Sequence, residues 1–420
     1  MNLLILNVDE NGDKANRIIR NLNPDLTLYL NNNIFNKNLK YKLLDDLFLP
    51  EDATKVDKFT KKLAKTWYKG IEKEFRYFNI SLPELVENEF VKIWPIILKL
   101  KMLKRFIKKQ KPSKVYIITE YEEDIKIIKS IINKKTELNY NLLRKSKARI
   151  NLKDILYKFI GKYQNLLFKI YINKKKRKNN ILVIGNLRVT LPFLKELRKN
   201  KDNIIIRGGE NLGRGLFTKD CDYYITFKEF SNNTIKKEKL NLINKWNKIK
   251  NKLPLSGILD LNYKKLILEN FLTLIKYIEI TKALDQKIDV IVTHNDVIKF
   301  EKTIVKTTNN LNIPTITMVE GFLPIKQIKK GTQFIPFNSK IMAVHSEEQK
   351  KAIIKKGINK NRLVVTGYPD FDKYFNEKPL AKELVYKRYN IPLDKKIMLY
   401  VGERYTKNKY ESSIWAAQTQ

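Results

Sequence analysis

The chain has one cysteine and two histidines in 420 residues. Cys221 by itself excludes an internal disulfide and a Cys-based zinc site. The two histidines, His294 and His345, lack ligand spacing, so no metal set is expected. Glycine and proline are sparse, with 14 and 13 residues, which excludes collagen-like and low-complexity architectures. No apolar run approaches the ~20 residues that a spanning helix needs. Residues 1–8 carry no basic n-region and too short an apolar run for a signal peptide, and they read as a first strand. Acidic residues are scarce, 44 against 84 Lys plus Arg, giving a net charge of +40. Such a field attracts nucleic acid, anionic lipid or phosphorylated substrates. A chain rich in Lys, Asn and Ile also follows from AT-rich codons, so charge alone names no partner. No RRM, KH or zinc-finger pattern is present, and no specific nucleic acid is expected.

What remains is a globular composition, 43% hydrophobic and 11% aromatic. Residues 1–135 read as an α/β subdomain with strands at 3–8, 26–30 and 114–119. A helical insert is expected over 82–106, with Ser81 and Glu84 as a capping box. Residues 152–170 carry apolar side chains at steps of three and four, with Lys153, Lys158, Lys162 and Lys169 off that stripe. The basic run 174–178 follows. The 150–178 segment thus reads as a basic amphipathic helix and linker, either lying on an anionic membrane surface through 152–178 or packed in the ordinary way.

A second α/β unit opens at 181–185 and extends to 375. Four of the 14 glycines sit after its second strand, at Gly208, Gly209, Gly213 and Gly215. That cluster reads either as a structural turn or as a loop that brings backbone N–H groups to a substrate. Its order is not that of a P-loop. Four short β-branched runs follow, and each ends in a polar or glycine-containing cluster: His294 and Asp296, Glu320 and Gly321, His345 with Ser346, and Gly367 to Asp372. Ligands of open parallel sheets bind beyond the carboxyl ends of the strands, so these are candidate site residues. His294 is flanked by Asp296, close enough to orient it or share a ligand. Ser346 reads as the cap of the next helix. A last strand is expected at 396–402, with Arg404 and Thr406 in the loop after it.

In order, these marks resemble GT-B glycosyltransferases of surface-polysaccharide assembly, and the related CDP-glycerol glycerophosphotransferases and UDP-N-acetylglucosamine 2-epimerases. The similarity rests on Asn312-Ile313-Pro314-Thr315, Val319-Glu320-Gly321, Ala343-Val344-His345-Ser346-Glu347 and, most closely, Val365-Thr366-Gly367-Tyr368-Pro369-Asp370-Phe371-Asp372. Glu320 stands where those families commonly carry a histidine. The resemblance implies a GT-B-like α/β fold, in which a Rossmann-like acceptor lobe (179–375) is joined to the N-terminal subdomain. A donor lobe would begin at 390–420 and be truncated at the chain's end. It implies transfer of a sugar or polyol phosphate from a nucleotide-activated donor, a nucleotide-sugar or CDP-polyol, to a lipid-linked or glycan acceptor, with no cofactor. Expected roles are catalysis for Glu320, His294 and Asp296, and substrate binding for Gly208, Gly209, Gly213, Gly321, His345, Gly367 and Asp372. Arg404 and Thr406 are expected to hold donor phosphate. The expected location is cytoplasmic, peripheral to the inner membrane face. An epimerase, a non-catalytic scaffold and a basic polyanion-binding protein are the alternatives.

Overall fold

The computed structural model describes residues 1–398 apart from 32, 33, 35, 37, 144–151, 173–178, 186, 211–218, 228–232, 320–323, 331–334, 369–370, 372–377 and 379. The strands are β1 (Asn2–Asn7), β2 (Leu26–Tyr29), β3 (Tyr41–Leu43), β4 (Arg76–Tyr77), β5 (Ile80–Ser81), β6 (Lys114–Thr119) and β7 (Glu137–Leu142). They continue with β8 (Asn179–Ile184), β9 (Asn203–Gly209), β10 (Tyr223–Thr226), β11 (Val290–Thr293), β12 (Thr315–Met318), β13 (Ile341–Val344) and β14 (Leu363–Val365). Among the described residues they form a five-stranded sheet, β3-β2-β1-β6-β7, a seven-stranded sheet, β10-β9-β8-β11-β12-β13-β14, and the hairpin β4-β5. Every pairing in the two large sheets is parallel. The protein is therefore an α/β protein built on two parallel sheets, as a GT-B-like two-lobe arrangement requires.

The central strands are near-continuous apolar runs because helices cover them. Leu3, Leu4, Ile5 and Leu6 of β1, and Leu182 and Val183 of β8, are fully buried. Each such side chain contributes about 1.5–3 kcal/mol on leaving water. The facing sides of the two sheets share a core, while each keeps a smaller cluster of its own on its other side. One cluster runs from Leu3, Ile5 and Leu28 through Trp67, Phe90 and Leu98 to Tyr263, Phe271, Leu182 and Ile304. Trp67 stacks on Phe90 at 5.2 Å, and Tyr263 packs against both. Polar ties cross the same junction. Tyr77 donates to Glu279 (2.9 Å), Asn88 to the Val297 carbonyl (3.2 Å), and Lys306 and Lys302 pair with Glu84 (2.5 and 3.5 Å).

Several expectations change. The helix expected over 82–106 is broken into Leu82–Leu85, Glu87–Val91 and Trp94–Gln110. Pro95, with no N–H to give, sits in the first turn of the last piece and restarts the helix there. The Ser81 and Glu84 capping box does not form. Ser81 makes no side-chain cap, and Glu84 is spent on the two lysines of the Lys299–Asn310 helix. The first sheet takes in β7, beyond the expected limit at 135. Ser346 does cap the Glu347–Ile354 helix, accepting from the Gln349 N–H at 3.3 Å. Residues 396–398 are not in a strand, and the rest of the expected final strand lies outside the described residues.

Burial alone would raise the pKa of Glu84, but its bonds to Lys306 and Lys302 outweigh burial and hold it below the ordinary carboxylate value. A depressed carboxylate stabilises the fold above its unfolded pKa, and that contribution is lost as pH falls through the folded one. Glu84→Gln is therefore expected to lower the urea midpoint at pH 7. The gap from the parent chain should close as pH falls below the ordinary carboxylate range. A gap that is constant with pH would show that the ion pairs do not join the two sheets.

Candidate functional site

In the larger sheet the chain moves outward from β8 to β9 to β10 in one direction and from β11 to β14 in the other. The order reverses between β8 and β11. Helices arriving from the two directions lie on opposite faces there, which opens a crevice at the strand carboxyl ends. Gly185, directly after β8, and His294, directly after β11, face each other across it. A Cβ at position 185 would lie 1.8 Å from His294 Nδ1, and the Gly185 φ is +128°. Only glycine lets the imidazole approach the backbone so closely. His294 is buried, at 6% exposure. It rides on a tight turn in which the Thr293 hydroxyl donates to the Asn295 carbonyl (2.7 Å), and Asn295 Oδ1 accepts from the Val297 N–H (2.8 Å).

Behind Gly185 lies Arg207, whose side chain is fully buried on β9. Its guanidinium donates to the Thr190 hydroxyl (2.6 Å) and to the Gly185 carbonyl. It forms no ion pair among the described residues, and Nε is buried without a hydrogen bond. Burial pushes its pKa down, but a guanidinium stays charged at neutral pH. An uncompensated buried cation is costly, so this one is retained where it pins the Gly185 carbonyl and, through Gly185, the seat of His294. At the end of the same strand, Glu210 follows β9 and accepts a hydrogen bond from the buried Tyr277 hydroxyl.

His345 stands at the end of β13. Its Nε2 donates to the Val319 carbonyl at 3.2 Å, which makes Nδ1 the acceptor nitrogen, and Nδ1 is buried with no hydrogen-bond partner among the described residues. Its own N–H donates to Gln349 Oε1 (2.9 Å), and the Tyr368 ring packs 4.7 Å away. Burial lowers the His345 pKa, partly offset by the Val319 bond, so the ring is neutral at pH 7 with an unused lone pair.

His345 also borders a cavity of about 450 Å³ on the sheet face that carries the Leu187–Arg198 helix. The floor is apolar: Val292, Ile316, Met318, Ala343 and Val364. Pro192, Phe193 and Glu196 form one wall, and His345, Thr366 and Gly367 form the rim at the strand ends. The Lys299–Asn310 and Glu347–Ile354 helices cover the opposite face, through Phe300 and Ile304 on one side and Ala352 and Ile353 on the other.

The smaller sheet has its own order reversal, between β1 and β6, but that edge is closed by its own side chains. Glu120 Oε1 accepts from the N–H groups of Glu10 and Asn11 and from Asn11 Nδ2 (3.0, 2.8 and 2.7 Å). Asp124 is held by Asn7, Thr119 and Lys99 (2.7, 2.8 and 2.9 Å). A carboxylate already takes the donors that an anionic ligand would need. The larger sheet is the better site on that ground.

The structure brings His294, His345 and Gly367 to one edge, on β11, β13 and β14. Two expected assignments are corrected. Asp296 does not orient His294. It is buried, and its Oδ2 accepts from the N–H groups of Asn338 and Ser339 and from the Ser339 hydroxyl (2.6, 2.7 and 3.0 Å), which joins the β11 turn to the segment before β13. Gly208 and Gly209 do not form a loop. Both lie within β9, and a Cβ at 208 would meet Leu182 at 3.0 Å and Ile184 at 3.2 Å, so that glycine serves strand packing. Gly213, Glu320, Gly321, Asp372, Arg404 and Thr406 lie outside the described residues. Burial pushes the Cys221 thiol up to about 12, which disfavours the thiolate at neutral pH. The sequence reading missed Gly185 and Arg207 as site residues. An arginine directly after the apolar run 204–206, and a glycine ending the first strand of a βαβ unit, were the available signals.

A family model described as CDP-Glycerol:Poly(glycerophosphate) glycerophosphotransferase matches residues 337–404. The matched segment contains β13, β14, His345, Thr366 and Gly367. None of the curated proteins matches the chain.

Gly185→Ala is expected to force His294 from its seat and to destabilise the fold by about 1–3 kcal/mol, the range for overpacking a filled site. Arg207→Met should release the Gly185 carbonyl without adding volume. Chemical denaturation with NMR of the two imidazoles will separate these effects. An unmoved His294 resonance in both variants would sever the proposed link from Arg207 through Gly185 to His294.

Proposed function

We propose that the protein transfers glycerol phosphate from CDP-glycerol to a hydroxyl at the end of a membrane-associated polyol-phosphate or glycan acceptor. The observation that carries this reading is that the matched segment, 337–404, contains the strand-helix-strand unit whose edge supplies His345, Thr366 and Gly367. The acceptor hydroxyl attacks the phosphorus that carries glycerol. A new O–P bond forms, the P–O bond to CMP breaks, and CMP leaves with the bonding electrons. The hydroxyl proton needs an acceptor, and a neutral imidazole with a free lone pair is suited to that task. His345 Nδ1 is our first candidate for the base. His294, at the order reversal, holds the acceptor in line. Arg404 and Thr406, with Asp372, bind the donor, a bidentate guanidinium being the natural partner of a departing phosphate. A sugar nucleotide in the same place would make the protein a glycosyltransferase.

Incubation with labelled CDP-glycerol and a lipid-linked glycerophosphate primer should extend the primer and release CMP. UDP- and GDP-sugars should give no product, and sugar transfer with no glycerophosphate transfer would replace this reading with the glycosyl one. His345→Asn is expected to lower kcat by about 10²–10⁴-fold with little change in KM. A base that is neutral because it is buried places the acid limb of the rate profile below the ordinary imidazole value of 6.5. A limb above 6.5, or full activity in His345→Asn, would remove His345 as the base.

A further inference from the structure

The helix Leu152–Ile172 has two apolar faces, and among the described residues only one of them is packed against the protein. The inner face lies along β10, the edge strand of the larger sheet. Phe168 is buried there, and Tyr171 stacks on Tyr223 at 4.2 Å and donates to Asn180 Oδ1 (2.7 Å). Asn165 exchanges hydrogen bonds with Thr226, accepting from its N–H (2.8 Å) and donating to its carbonyl (3.0 Å). These bonds fix which way the helix is turned. The outer face then presents Leu156, Phe159, Tyr163, Leu166 and Ile170, spaced 3, 4, 3 and 4 residues apart, each between 52 and 67% exposed. The periodic apolar positions of this segment thus divide into two stripes, and the stripe with no partner among the described residues points to solvent.

An isolated exposed leucine needs no explanation, but five large apolar side chains in one row mark a surface that is covered in use. Its surroundings identify the cover. Lys158, Lys162 and Lys169 are exposed and run along one flank of the stripe. Residues 155–178 contain eight Lys or Arg and no Asp or Glu. A second copy of this chain would bring its own charge of +40 to the contact and be repelled. An anionic bilayer offers an apolar interior beneath a negative surface, which fits both parts of the pattern. We infer that the Leu152–Ile172 helix is a membrane-docking element. Phe159, Tyr163 and Leu166 enter the acyl boundary of an anionic leaflet, and Lys158, Lys162 and Lys169 contact its headgroups. No helix among the described residues is long and apolar enough to cross a membrane, so the contact is in-plane. The inference stands on this helix and does not rest on the transferase reading.

Co-sedimentation of the full chain with vesicles decides it. Vesicles of phosphatidylcholine with one quarter phosphatidylglycerol should bind the protein, and pure phosphatidylcholine should bind it far less. Phe159→Gln with Leu166→Gln should lower partitioning about tenfold or more, given the transfer free energy of two such side chains. These positions are exposed, so the circular dichroism and melting curve should be unchanged. Lys158→Gln, Lys162→Gln and Lys169→Gln together should abolish the preference for the anionic vesicles, and added salt should weaken binding of the parent chain. Equal binding to both vesicle types, or unchanged partitioning in the Phe159 and Leu166 variant, would overturn the inference. So would a dimer in sedimentation velocity that this variant dissociates while vesicle binding persists, because the stripe would then be a contact between copies.

Discussion

The functional edge depends on the reversal of strand order between β8 and β11. Two neighbouring parallel strands whose connections leave in opposite directions cannot both be covered at their carboxyl ends by their own helices. The structure uses this opening for a close approach of imidazole to backbone that only a glycine at position 185 allows. Arg207 holds that glycine's carbonyl from behind, at the cost of a buried charge with no ion-pair partner among the described residues. His345, two strands further along, is set by its bond to Val319 and the cap on the following helix. The sheet brings these groups to one edge, and local turns and caps then set each side chain.

The two sheets are unequal in what they leave available. At the edge of the smaller one, Glu120 and Asp124 consume the donors of the turn and the adjoining strands. At the edge of the larger one, His345 Nδ1, beside an apolar cavity, and Arg207 Nε make no hydrogen bond among the described residues. The smaller sheet instead supports the larger. Its helices share one core with the helices of the second unit, and Glu84, Tyr77 and Asn88 tie across the junction. This division explains how a chain with two Rossmann-like sheets can carry a candidate site on one of them.

Much of this was legible before any coordinates. The runs ending at His294, His345 and Gly367 are strands because β-branched residues fill them and polar clusters stop them, and parallel order follows from the helices between. The cap at Ser346 was legible because a serine before two glutamates is a local signal. What failed were inferences that placed two side chains together by nearness in sequence. Asp296 is two residues from His294, yet the turn sends its carboxylate to residues 338 and 339. Ser81 and Glu84 have capping spacing, but Glu84 meets two lysines some 220 residues away.

The sequence by itself determined the alternation of strands and helices, the surplus of positive charge and the periodic faces of the 152–172 segment. These are set by short-range patterns of side-chain size and polarity along the backbone. Tertiary structure alone decided which apolar stripe of that helix is buried, which sheet edge keeps unspent groups, and that Gly185 and Arg207 frame His294. Those outcomes depend on which strand lies beside which, and strand order in a parallel sheet is settled by long crossovers and by the joint packing of elements far apart in the chain. No local pattern encodes that order, because the same strand can serve at the centre or beside the reversal until its neighbours are placed.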